Sequence, residues 1–114
     1  MRGKVEAATP DGGKKVRETY FEQKLCKAVR ELGCNVLCLK FESPGYAGVP
    51  DRIVLLPGGK VLFVELKRPG QHERVRQKYV HDVLRGLGFE VFASVSSLEQ
   101  INEVVQRCKE VMKL

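Results

Sequence analysis

Two apolar runs, residues 51–56 (DRIVLL) and 60–67 (KVLFVELK), are joined by Pro57-Gly58-Gly59, and no other stretch constrains the fold of this chain as strongly. Runs of this length separated by turn residues predict a β-hairpin. In the second run Val61 and Phe63 alternate with Leu62 and Val64, so both faces are apolar. A strand apolar on both sides belongs inside a sheet that is covered above and below.

The length of the turn decides where the charges of the hairpin fall. With a three-residue loop Leu56 pairs with Lys60, and counting back sets Asp51 opposite Glu65 on one face. Lys67 joins them, because residues two apart in a strand share a face. Gly59 suits the left-handed position that closes such a loop. A two-residue Gly58-Gly59 turn would send the two carboxylates to opposite faces. In the first register, paired carboxylates at the end of a buried sheet either share a proton or hold a cation. Hard oxygen donors on a rigid hairpin suit Mg²⁺, which bridges to phosphate oxygens and activates water. The alternative is a pair of solvated strand-end carboxylates with Lys67 as their salt-bridge partner.

The rest of the chain reads as one domain. Residues 16–32 carry Phe21, Leu25, Ala28, Val29 and Leu32 at helical spacing, with Gly33 as a stop. Residues 34–41 predict a strand, 42–50 (ESPGYAGVP) a loop, and 72–87 a second helix with Val80, Val83, Leu84 and Leu87 inward. A fourth strand (FEVFASV) and a last helix capped by Ser97 follow. The expected fold is an α/β domain over 16–114, in the order α-β-β-β-α-β-α. A mobile basic tail is expected over 1–15. Gln77 lies three before Val80 and seven before Leu84, which puts an amide on the inward stripe where it needs a partner. Glu22 falls at the margin of the first helix's stripe, and its spacing alone suggests a surface carboxylate.

The 114 residues carry a formal net charge of +6, which favours polyanions without naming one. Six basic residues crowd between 67 and 85 against Glu73 and Asp82. No apolar run approaches the roughly 20 residues of a membrane helix, and the N-terminus lacks a secretory apolar core. A soluble cytoplasmic protein is the expectation. Cys26, Cys34, Cys38 and Cys108 have no metal-ligand spacing and read as structural thiols in a reducing compartment.

Together Glu22, the segment KFESPGYAGVPDR at 40–52, the Glu65-Leu66-Lys67 tripeptide and Gln77 resemble the virus-type replication-repair nuclease family, VRR-NUC, a branch of the PD-(D/E)XK superfamily. The likeness spans about residues 18–95, while the basic stretch QHERVR at 71–76 departs from it. It implies a restriction-endonuclease-like sheet of about four mixed strands flanked by helices. It further implies Mg²⁺ or Mn²⁺ bound by Asp51, Glu65 and the Leu66 carbonyl, with Glu22 ligating directly or through water. Lys67 would position the attacking water, and Gln77 would support Lys67 or that water. Stand-alone members, often phage-encoded and then acting in the bacterial host cytoplasm, look like homodimeric endonucleases on branched DNA such as four-way (Holliday) junctions. On this footing Lys40, Arg68, Arg74, Arg76 and Lys78 are candidate phosphate contacts. Ser43 is a further candidate DNA contact, and Tyr46 on the same loop is a candidate to stack or wedge at a distorted step. The rival expectations are a nuclease on linear, flap or single-stranded DNA, and a non-catalytic DNA-binding module on a nuclease scaffold.

Overall fold

The computed structural model describes residues 10–113. Helix α1 (Pro10–Arg30) leads into strands β1 (Leu37–Lys40), β2 (Arg52–Leu56) and β3 (Lys60–Leu66). Helix α2 (Val75–Gly86), strand β4 (Glu90–Val95) and helix α3 (Leu98–Met112) complete the chain. The predicted order holds. Among the described residues no helix is long and apolar enough to cross a membrane.

The hairpin closes with the three-residue register. Leu56 pairs with Lys60 and Arg52 with Val64, while Pro57–Gly59 makes a tight turn in which Gly58 and Gly59 have φ of 79° and 73°. Positive φ carries little penalty in glycine, so a Pro-Gly-Gly turn suits this geometry. The sheet runs β1-β2-β3-β4, with β1 to β3 antiparallel and β4 parallel to β3. A parallel pair needs a crossover, which α2 supplies. Beside Glu65 the β3–β4 ladder shifts register, and Ser94 takes φ of 60° there. Bulges of this kind redirect side chains near sites.

The two faces of the sheet are built differently. Val54, Leu56, Leu62, Val64 and Leu66 face α1 and α3, packing with Leu25, Val29, Ile101, Val104 and Cys108 into one core cluster. On the other face Phe63 meets the rings of Phe41 and Phe89 at 5.6 and 5.5 Å. The Ser97 hydroxyl accepts from the Gln100 N–H and caps α3, as expected.

Four local expectations change. Residues 1–9 of the predicted tail lie outside the described residues, and 10–15 are helical because α1 opens at Pro10. A first-turn proline fits a helix start, since its missing N–H would have had no intrahelical partner. Residues 34–36 are not strand, and Cys34 is exposed on a turn. Helix α2 starts at Val75 instead of residue 72. Its buried residues are Val80 and His81, whereas Val83 and Leu87 are exposed. The covered stripe is therefore centred on Gln77, Val80, His81 and Leu84. Leu87 falls beyond the last helical residue.

The other three thiols are buried. Burial, then the Cys26 thiol 3.2 Å away, pushes Cys38 up to about 12, and burial pushes Cys108 up to about 11. Thiols held this far from ionisation are poor nucleophiles and act as small core residues.

Gly48 fixes the loop before β2 onto α2. Its φ is +98°, and a Cβ there would meet the Arg76 carbonyl oxygen and Val80 Cγ2 at 2.9 Å. Gly48→Ala is expected to destabilise the protein by about 2 kcal/mol through strain and that clash. Chemical denaturation measures it, and an unchanged midpoint would show that the loop is not held to α2 here.

Candidate active site

The end of the hairpin brings the predicted residues into one cleft. Asp51 lies one residue before β2, and its carbonyl accepts from the Phe41 N–H at 2.7 Å, which carries the ladder one step further. Its carboxylate Oδ2 accepts from the Leu66 N–H at 2.9 Å. Glu65 near the end of β3 and Lys67, one residue past it, are 3% and 6% exposed. A cleft of about 220 Å³ is lined by Asp51, Glu65, Leu66 and Lys67 together with Glu22, Gln71, Arg74 and Gln77.

Gln77 ties the charges together. Its Nε2 donates to Glu65 Oε2 at 3.0 Å, and its Oε1 accepts from Lys67 Nζ at 2.7 Å and from the Arg74 N–H at 3.1 Å. One amide thus starts helix α2 and bridges the buried ion pair, whose Nζ–Oε2 distance is 3.3 Å. The inward position read from helical spacing has found its partners.

The electrostatics are unbalanced. Burial first, and then the charge of Asp51, push the Glu65 carboxyl up to about 7, against the opposing pull of Lys67. Glu65 Oε1 is buried with no hydrogen-bond partner among the described residues. An orphaned carboxylate oxygen facing a second carboxylate lacks positive charge, and a hard divalent cation fits that lack. Among the described residues no three His, Cys, Asp or Glu side chains group together as metal ligands. The carboxylates that line the cleft are those of Asp51, Glu65 and Glu22.

Glu22 reaches this cleft from α1, but its carboxylate is committed to Arg52 Nη2 at 3.3 Å. Of the predicted DNA contacts, Arg74 lines the cleft. Lys40 and Lys78 are exposed and paired with Glu42 and Asp82, and Ser43 and Tyr46 lie on the loop before Asp51. Arg68 begins the link from β3 to α2, and Arg76 Nε donates to the Ala47 carbonyl at 2.9 Å. Sequence reasoning missed Gln71, Arg52 and the fully buried His81, whose Nδ1 contacts the Glu73 carboxylate. That contact ties the link to α2. The Pro69-Gly70 turn directly after β3 was the available signal that the link folds back over the strand end.

Comparison with known proteins bears on the chain and its fold as a whole. A protein named "Putative nuclease p44" from Acyrthosiphon pisum secondary endosymbiont phage 1 is 45% identical over 76 residues, which is 67% of this chain and 80% of that protein. A solved structure described as a VRR-NUC domain superposes with a TM-score of 0.71 at 28% identity, covering 79% of this chain and 95% of the other. No family model matches the chain. With a relative this similar over most of its length and the fold shared, the chain belongs to the VRR-NUC family of nucleases.

Proposed function

We propose that this nuclease is a divalent-cation-dependent endonuclease of DNA, selective for branched substrates such as four-way junctions, with Mg²⁺ or Mn²⁺ as the cation. The observation that carries the reading is the convergence of Asp51, Glu65 and Lys67 in one cleft, with Glu65 and Lys67 bridged by Gln77. Asp51, Glu65 and the Leu66 carbonyl would hold the cation, and Glu22, already engaged by Arg52, would act through water. When bound, the cation supplies charge to a phosphorane-like transition state and lowers the pKa of a water.

The chain's own groups do the remainder. The Lys67 ammonium, held by Gln77, orients the attacking water or offsets charge on the phosphate. Arg74 stands on the cleft wall within reach of a backbone phosphate, and the +6 net charge favours a polyanion. A homodimer, as the family resemblance implies, would carry two such sites for the two strands of a junction.

The test is cleavage of a four-way junction and of a linear duplex with Mg²⁺, with Mn²⁺ and with chelator. Thermal melts with each cation run in parallel. The wild type should cut the junction only with a cation and melt at a higher temperature in its presence. Asp51→Asn should lose at least about 10³-fold in rate, several kcal/mol of transition-state stabilisation, together with the cation-induced shift. Cleavage that survives chelator would refute the metal site. Equal cutting of linear duplex would favour the unselective nuclease, and binding without cutting would favour the non-catalytic module.

A further inference from the structure

We propose that Tyr46 and Tyr79, held against the guanidinium of Arg76, form a stacking platform for an unpaired nucleobase beside the cleft. The proposal deepens the DNA-cleaving reading and rests on it.

The geometry is a cation between two rings. The Arg76 guanidinium carbon lies 4.6 Å from the centroid of the Tyr46 ring and 5.2 Å from that of Tyr79. Arg76 Nε is occupied by the Ala47 carbonyl, and among the described residues no carboxylate pairs with the side chain. Its charge is left for a ligand. Tyr46 comes from the loop that ends at Asp51. Arg76 lies between Arg74 and Gln77, both of which line the cleft.

A clamp fastening the loop to α2 would need the Ala47 hydrogen bond and one covered ring. Here Tyr46 and Tyr79 remain 43% and 55% exposed. Val75, one turn before Tyr79 on the same helix face, is 89% exposed and follows Arg74 of the cleft wall. Apolar ring area with an unneutralised cation suits a splayed nucleotide, which offers a π-face and a phosphate together. Continuous duplex offers phosphates at its surface but keeps its base faces stacked inside. Junction centres, flaps and single strands expose them.

Stacking of one base on an aromatic side chain contributes about 1–3 kcal/mol. The test measures binding in chelator, where the proposed site cannot cut, to a duplex and to the same duplex carrying one unpaired 2-aminopurine. The wild type should quench the 2-aminopurine and prefer the bulged DNA. Tyr79→Leu should lower the bulge-to-duplex affinity ratio about tenfold, and Tyr79→Phe, which keeps the ring, should retain it. An unquenched probe would overturn the platform, as would a Tyr79→Leu protein that weakens both DNAs equally. A change of oligomeric state on size-exclusion chromatography with the ratio unmoved would assign this surface to a protein contact, and would also overturn it. Quenching by a wild type that cuts no DNA with any cation sinks the nuclease reading alone. Normal cutting without quenching sinks the platform alone.

Discussion

Replacing Glu65 with glutamine is expected to abolish cleavage while raising the melting temperature of the metal-free protein at pH 8. Burial and the neighbouring Asp51 charge push this carboxyl from an ordinary 4.5 up to about 7. A carboxyl whose pKa is raised by folding supports the fold best below its unfolded value, and that support is lost as pH rises through 7. The shift corresponds to about 3 kcal/mol against folding at pH 8. Glutamine stays neutral and avoids this cost. Its new NH₂ group inherits the partnerless position of Oε1, which takes back part of the gain. A net rise of about 2 kcal/mol, roughly 8 °C, is expected at pH 8 and none below pH 4.5. Loss of an oxygen from the proposed cation site should meanwhile lower the rate about 10³-fold or more. Melts in chelator at both pH values, with a cleavage assay, decide it. A variant that melts no higher than wild type at pH 8 would remove the electrostatic account of the site.

Lys67→Met carries the opposite stability sign. The Lys67 ammonium is buried against Gln77 Oε1 and Glu65 Oε2, and removing it takes away the positive charge that opposes the pull of Asp51 on Glu65. Deleting one partner of a buried pair costs about 3–5 kcal/mol. Glu65 can relieve the repulsion by taking up a proton, so the loss should be largest at pH 8 and smaller at pH 5. Combining Lys67→Met with Glu65→Gln should recover most of the stability and none of the cleavage. Such a double-mutant cycle separates charge from packing. If Lys67→Met is equally destabilised at pH 5 and pH 8, the four-carbon stem matters more than the charge, and the proposed coupling between Lys67 and Glu65 fails.

Local chemistry made the hairpin readable in advance and narrowed its register to two turns, between which the structure decides. Pro57-Gly58-Gly59 admits the closed three-residue turn, and the doubly apolar second run demands a central strand. Gln77 was readable for a related reason, because an amide on a helix's inward stripe has to find a partner, and Glu65 and Lys67 were the charges left over on the adjoining strand. His81 was not readable. Counting only apolar residues gave the stripe to Val83 and Leu87, while the structure buries a histidine whose Nδ1 meets the Glu73 carboxylate. Pairing across thirty residues, as between Arg52 and Glu22, leaves no periodic trace in the chain. The entry of Gln71 into the cleft depends on how the link folds back, which its composition does not determine.

The site joins two elements of unequal anchorage. Val64 and Leu66, which flank Glu65, are rooted in the interior beneath the sheet, so the carboxylate cannot shift without disturbing the whole core. Gln77 and Arg74 belong to the start of a twelve-residue helix that buries only Val80 and His81. Displacing that helix costs less than displacing the strand. The cleft therefore has a rigid floor and a yielding wall, and any widening that a polynucleotide demands on entry falls to α2 while the Glu65 carboxylate keeps its place.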